Sequence, residues 1–199
     1  EMCIRDRYYK DTKIRKIIGN INLFPNFVTL IVETNTVTRM KDLIITAVIK
    51  VYQYDELNEA DQALVKTAKD ATARSYSPYS HFSVGAAVLL GNGIVVTGTN
   101  QENAAYPSGL CAERTTLFYA NSQYPGQAVE TLAIAARNEC GEFLEEPIPP
   151  CGACRQVMLE TEKRFKHPMR VLLFGKTGIY ELGSVGALLP LSFDASSML

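Results

Sequence analysis

The spacing of the cysteines narrows most what this chain can fold into. "PPCGAC", Pro149 to Cys154, sets two thiols three residues apart directly after a proline pair, and "CAE", Cys111 to Glu113, places a third thiol 40 residues before Cys151. A Cys-x-x-Cys pair serves as a redox couple, as half of a structural zinc site, or as two of three ligands around a catalytic metal. The six letters alone do not choose among these. The surrounding chain has to.

At 199 residues, 47% of them hydrophobic and with a formal net charge of −1, the chain suits one globular domain with a substantial core. Near-neutral charge without a Lys/Arg block argues against affinity gained by neutralising phosphates along a duplex, so the expected partner is a small molecule and not a nucleic acid. No apolar run approaches the ~20 residues of a membrane helix, and no charged-then-apolar leader opens the chain; the expectation is no membrane partner and a cytosolic location. Five cysteines are too few for a secreted disulfide scaffold, and in a reducing compartment clustered thiols point to metal or catalysis.

The first residues stand apart. "EMCIRDR", Glu1 to Arg7, reads as the translated end of a sequencing adapter, and Tyr8 to Arg39 show no sustained helical or strand period before Met40, a natural start. Residues 1–39 are therefore expected to be a non-native or disordered extension, with the working domain spanning 40–199, which removes Cys3 from the count.

From Met40 the periods become regular. "LIITAVIKVYQY", Leu43 to Tyr54, is β-branched and aromatic and predicts a strand. In "LNEADQALVKTAKDATARSY" the stripe Leu57, Ala60, Leu64, Ala68 and Ala71 predicts an amphipathic helix. "FSVGAAVLLGNGIVVTGTN" sets two apolar runs around Asn92-Gly93, a pair that tolerates positive φ and suits a tight hairpin. "CAERTTLFYANSQ" has helical spacing at Ala112, Leu117 and Ala120, and "VETLAIAAR" reads as a buried strand. "ECGEFLEEPIPP" is a loop, "CGACRQVMLETEKR" a helix beginning after Pro150, and "MRVLLFG" and "GIYELG" two further strands. The order after the first strand is helix, two strands, helix, strand, helix, two strands. It indicates an α/β domain with a mixed sheet, in which both cysteine clusters open a helix.

A helix N-terminus presents free N–H groups and the positive end of the dipole, which favours thiolate, the form that binds zinc. Cys111, Cys151 and Cys154 all stand in such positions. Three ligands are one fewer than a closed structural zinc site uses, which leaves a fourth position for water. Glu113 lies too close to Cys111 for both to chelate one ion comfortably, yet near enough to reach a water at that position, where general acid/base work needs a carboxylate.

Cys-x-Glu followed at a distance by Pro-Cys-x-x-Cys resembles the zinc-deaminase signature. "YSPYSHFSVGAAV", "NQENAAYPSGLCAERT", "PPCGACRQVMLE" and "LLPLSF" resemble, in order, the successive blocks of the small homotetrameric cytidine deaminases, and they cover nearly all of Met40 to Leu199. The resemblance implies a three-layer sandwich, with a mixed central sheet of about five strands and helices on both faces. It implies one Zn²⁺ per subunit on Cys111, Cys151 and Cys154, with Glu113 shuttling a proton to the ring N3 and then to departing ammonia. Asn100 and Glu102 would bind the ribose 3′-hydroxyl, Phe82 would pack on the nucleoside, and Ala112 would offer its backbone to the pyrimidine edge. Tyr106 and Phe193 would close the site across subunit boundaries of a homotetramer. Arg114 resembles the arginine that donates to a zinc thiolate and drains the negative charge of a three-thiolate site. The implied reaction is hydrolytic deamination of cytidine and 2′-deoxycytidine to the uracil nucleosides, in pyrimidine salvage.

Two other readings stand beside this one. A deaminase of the same fold acting on a nucleoside antibiotic or a free nucleobase would lose the Asn-x-Glu sugar clamp, and a zinc-stabilised binding module without catalysis would have no use for Glu113. Cys140 is expected to be a small buried hydrophobe. His81 and His167 are expected at the surface or in loops, apart from any metal.

Overall fold

The structure, a computed structural model, describes residues 42–198. The expectation for residues 1–39 lies outside the described residues. Six strands among the described residues form one sheet: β1 (Lys50–Tyr52), β2 (Ser83–Leu90), β3 (Val95–Thr99), β4 (Val129–Arg137), β5 (Arg170–Phe174) and β6 (Ile179–Leu182), in the spatial order β1-β6-β5-β4-β2-β3. Helices α1 (Glu59–Ala71), α2 (Ala112–Gln123) and α3 (Gly152–Phe165) complete the domain. The β4–β5 pair is parallel and the other pairs are antiparallel, so the sheet is mixed, and the parallel pair is bridged by α3 as a crossover requires. No helix among the described residues is long and apolar enough to cross a membrane.

The central strands are buried on both faces, which is why their sequences read as continuous apolar runs and not as alternations. Ala86, Val88, Leu132, Ile134, Val171 and Leu173 point to the face covered by α2 and α3, where they meet Leu117, Met158 and Leu159. Ala87, Ala133, Ala135, Leu172 and Phe174 point to the opposite face and meet Leu64, Val65 and Ala68 of α1. Successive residues of one strand thus feed different cores, giving the expected three layers.

Three expectations are corrected. The sheet has six strands, as many as the segments predict, where the resemblance implied about five; β1 is the edge strand, antiparallel to β6 with Val51 opposite Tyr180. The first strand occupies Lys50–Tyr52 rather than Leu43 to Tyr54, since β6 offers only four residues to pair with; residues 42–49 have no regular structure, and Leu43, Ile44 and Val48 are exposed. On α1 the buried stripe runs through Asp61, Leu64, Val65, Ala68 and Ala71, and Ala60 is exposed. Asn58 caps the helix by accepting from Asp61 N at 2.9 Å and so fixes its phase, and the Arg170 guanidinium meets the buried Asp61 carboxylate at 2.8 Å.

The hairpin of β2 and β3 turns at Asn92-Gly93 as expected, with Gly93 at φ 83° and its N–H donating to Leu90 O at 2.8 Å. Its two glycines inside the strands have a different purpose. A Cβ on Gly85 would stand 2.7 Å from Thr72 N at the end of α1, and one on Gly98 would stand 2.8 Å from Thr116 N in α2. Both helices therefore rest directly on the hairpin backbone. Gly98→Ala forces α2 off β3 and is expected to cost about 1–3 kcal/mol, lowering Tm by roughly 2–9 °C, which calorimetry checks.

Candidate metal centre and active site

Both cysteine clusters occupy the positions that the local sequence dictates. Pro150 has no N–H to contribute to a preceding element, and Cys151 follows it as the N-cap of α3 at φ −66°, ψ 166°. Cys111 is the N-cap of α2 at φ −71°, ψ 158°, and Cys154 lies one turn into α3. The first helical bonds run from Thr115 N to Cys111 O and from Arg155 N to Cys151 O, so the N–H groups before them remain unclaimed by the helix and their dipoles favour negative sulfur.

The sulfurs of Cys111, Cys151 and Cys154 lie within 4.8 Å of one another, with Cys111 to Cys151 at 3.8 Å and Cys151 to Cys154 at 3.4 Å. A tetrahedral ion with zinc–sulfur bonds of about 2.3 Å separates its sulfurs by about 3.8 Å, so the three-sulfur cluster matches zinc in donor type and spacing. The thiols are strongly coupled. A hydrogen bond from Cys154 pulls the Cys111 thiol down to about 5, with Arg114 adding to the effect, and the same contact pushes Cys154 upward. Arg114 directs Nη2 at the Cys111 sulfur from 3.9 Å. Glu113, 5% exposed, has its carboxyl raised above the ordinary range by burial first and by the nearby Cys111 second.

A cavity of about 740 Å³ opens over this cluster. Of the expected site residues, Phe82, Asn100, Glu102, Tyr106, Cys111, Glu113, Arg114 and Cys151 line it. Cys154 and Ala112 lie fully buried behind that lining, and the Ala112 carbonyl already accepts from the Thr116 hydroxyl at 2.7 Å, so its first-turn N–H is the backbone group left to offer. Phe193 is outside the lining and 60% exposed; its carbonyl accepts from Gln156 Nε2 at 2.8 Å, and Asp194 meets Lys163 at 3.2 Å, which holds the C-terminal segment against α3.

The polar pair at the end of β3 is already well engaged. Asn100 Oδ1 accepts from Ser75 Oγ at 2.6 Å and from Val84 N at 2.8 Å, while Nδ2 donates to Phe82 O at 2.8 Å, leaving one amide hydrogen free. Glu102 Oε2 accepts from Tyr79 N at 2.9 Å and Ser80 N at 3.2 Å, and Oε1 accepts from the Ser80 hydroxyl. Sequence reasoning missed these partners. The signal was the hydroxyl-rich run Ser75, Ser77 and Ser80 between the end of α1 and the start of β2.

Cys140 is exposed, which corrects the buried reading: it sits in a turn whose amides, its own among them, converge on Asn138 Oδ1. His81 is exposed and His167 pairs with Glu130 at 2.8 Å, and neither belongs to the sulfur cluster. Cys151→Ala is expected to abolish zinc retention while Cys140→Ala keeps one zinc per chain, by elemental analysis of purified protein. Arg114→Ala is expected to reduce zinc retention or turnover with the circular dichroism spectrum unchanged; full zinc and unaltered kinetics would count against its role.

Comparison with known proteins agrees with this geometry. The model of the cytidine and deoxycytidylate deaminase zinc-binding region matches residues 58–167. A cytidine deaminase of Halalkalibacterium halodurans is 41% identical over 137 residues, covering 69% of this chain and 96% of that protein. One of Sporosarcina psychrophila is 38% identical, covering 69% and 93%. Among solved structures, cytidine deaminase from Burkholderia pseudomallei superposes with a TM-score of 0.57 at 38% identity, over 69% of this chain and all of that one. The three sulfurs lie within the residues that this zinc-binding region matches, and the chain belongs to the cytidine and deoxycytidylate deaminase family.

Proposed function

We propose that this protein hydrolyses the exocyclic C–N bond of cytidine and 2′-deoxycytidine, releasing ammonia and the uracil nucleosides, as a cytosolic homotetramer serving pyrimidine salvage. The observation that carries the reading is a buried carboxylate, Glu113, sharing one cavity with the sulfur cluster. Zinc on Cys111, Cys151 and Cys154 would supply the Lewis acidity that makes water a nucleophile near neutral pH.

The chain's own residues manage protons and position. As the water oxygen bonds to C4 of the ring, Glu113 takes the proton that water gives up and delivers it to N3. Cleavage of the C4–N4 bond then sends a further proton to the leaving amine, and ammonia departs. Burial raises the carboxyl of Glu113, so its protonated form is accessible and the same group serves as base and acid. Arg114 offsets the negative charge gathered at Cys111.

Asn100 retains one donor and Glu102 is an acceptor, so together they suit a sugar hydroxyl, which needs one of each. A clamp on the 3′-hydroxyl leaves the 2′ position unread and accepts both sugars. The cavity favours nucleosides over nucleotides: Arg114 is the one cationic side chain lining it among the described residues, and it is turned to Cys111, while Glu102 and Glu113 would repel a phosphate. Tyr106, 75% exposed, and Phe193, 60% exposed, are aromatic surfaces suited to closing the site of a second copy.

Uridine formation and bound zinc, measured together, test the reaction. Glu113→Gln is expected to keep one zinc per chain and lose about 10²–10⁴-fold in kcat. Equal activity in the two proteins, or none in either, would defeat the catalytic reading. Native mass spectrometry is expected to show four chains and four zinc ions; a lone chain with full activity would refute shared sites.

A further inference from the structure

Among the groups that tie the loop entering β2 to the sugar clamp is one side-chain hydroxyl, which makes two hydrogen bonds. Ser80 Oγ donates to Glu102 Oε1 and at the same time accepts from Phe82 N at 3.1 Å. The Ser80 and Tyr79 amides both donate to the other oxygen of the same carboxylate. The chain reverses there through His81, whose φ of 54° is uncommon for a residue with a side chain, and His81 N closes the turn on Ser77 O at 3.1 Å. Glu102, Ser80 and Phe82 all line the cavity.

Without that hydroxyl, Glu102 would keep two amide donors on one oxygen and lose its one partner among the described residues on the other, leaving the carboxylate freer to rotate. The same loss would free the amide of Phe82, whose ring lines the wall of the cavity next to the clamp. Tyr76 adds a second seam, donating its N–H to Asn100 O and accepting from Glu102 N at 2.9 Å, so the loop as a whole stays in place when the hydroxyl is removed.

We propose that Ser80 is a positioning residue for nucleoside recognition: its hydroxyl aims the Glu102 carboxylate at the sugar 3′-hydroxyl and couples that aim to the placement of Phe82. The inference rests on the reading of the cavity as a nucleoside site. The hydroxyl's bonds run to Glu102 and to the Phe82 amide and to none of the three cysteines, so its effect falls on sugar discrimination and not on chemistry. The depressed carboxyl of Glu102, held down first by Ser80, agrees with this arrangement.

The test reads binding, apart from turnover. Zinc-loaded Glu113→Ala protein is titrated calorimetrically with cytidine and with 3′-deoxycytidine, and the preference for cytidine is compared with Ser80 intact, as Ser80→Ala and as Ser80→Thr. Ser80→Ala is expected to cut the preference about tenfold, the order of one charge-assisted hydrogen bond, while Ser80→Thr, which keeps the hydroxyl, preserves it. In the otherwise wild-type chain, Ser80→Ala is expected to raise KM for cytidine and leave kcat within about threefold. An unchanged preference, an equal weakening for both nucleosides, or the same loss in Ser80→Thr as in Ser80→Ala would overturn the proposal. Tight, sugar-selective binding without turnover in the wild-type chain would defeat the proposed reaction and leave this clamp standing.

Discussion

Everything in the site depends on two helix N-termini arriving at one point. Cys111 and Cys151 are 40 residues apart in the chain, yet their sulfurs are 3.8 Å apart because each begins a helix on the same face of the sheet. Three thiols at that range are poorly placed as a neutral cluster and well placed as thiolates around a cation. The unclaimed amides of two first turns, together with Arg114, supply positive potential from the protein side. A bound metal, the helix dipoles and the guanidinium would therefore act on the same charge.

The same convergence sets the environment of Glu113. Its position in the first turn of α2 places it on the cavity wall with Cys111 and Cys151 yet largely out of water, where the ionised carboxylate is disfavoured. A carboxylate on a surface loop at the same distance would remain an ordinary base. Burial of the group and its place beside the Cys111 sulfur are thus one geometric fact, produced by a helix that begins at Cys111.

Much of this was legible in the letters, and the reasons differ by element. α2, α3, the β2–β3 hairpin and β4 carried strong local signals: prolines before Cys151, Asn-Gly at the turn, and runs too apolar to face water. The phase of α1 was misread at Ala60 because its buried face includes Asp61, a residue that periodicity counts as solvent-facing and that Arg170 makes tolerable from 109 residues away. The first strand was drawn too long because β-branched composition marks what could pair, whereas strand length is set by a neighbour, and β6 is short. Cys140 was assigned to a core by residue type, although the turn built on Asn138 holds it in the open. That Cys111, Cys151 and Cys154 gather at one point was expected from the Cys-x-Glu and Pro-Cys-x-x-Cys pattern. The hydrogen bonds of Ser75 and Ser80 left only the hydroxyl-rich composition of their loop as a signal, because hydroxyls in loops carry no period.

The two glycines of the hairpin have a consequence for how such a protein can drift. Elsewhere the separation of layers depends on side chains, so a larger leucine here and a smaller alanine there can compensate one another. Along Gly85 and Gly98 there is no side chain to trade, and the peptide planes of sheet and helix are in direct touch. The ligand-bearing helix α2 is therefore registered by main-chain contact, a gauge that substitution in the core cannot retune.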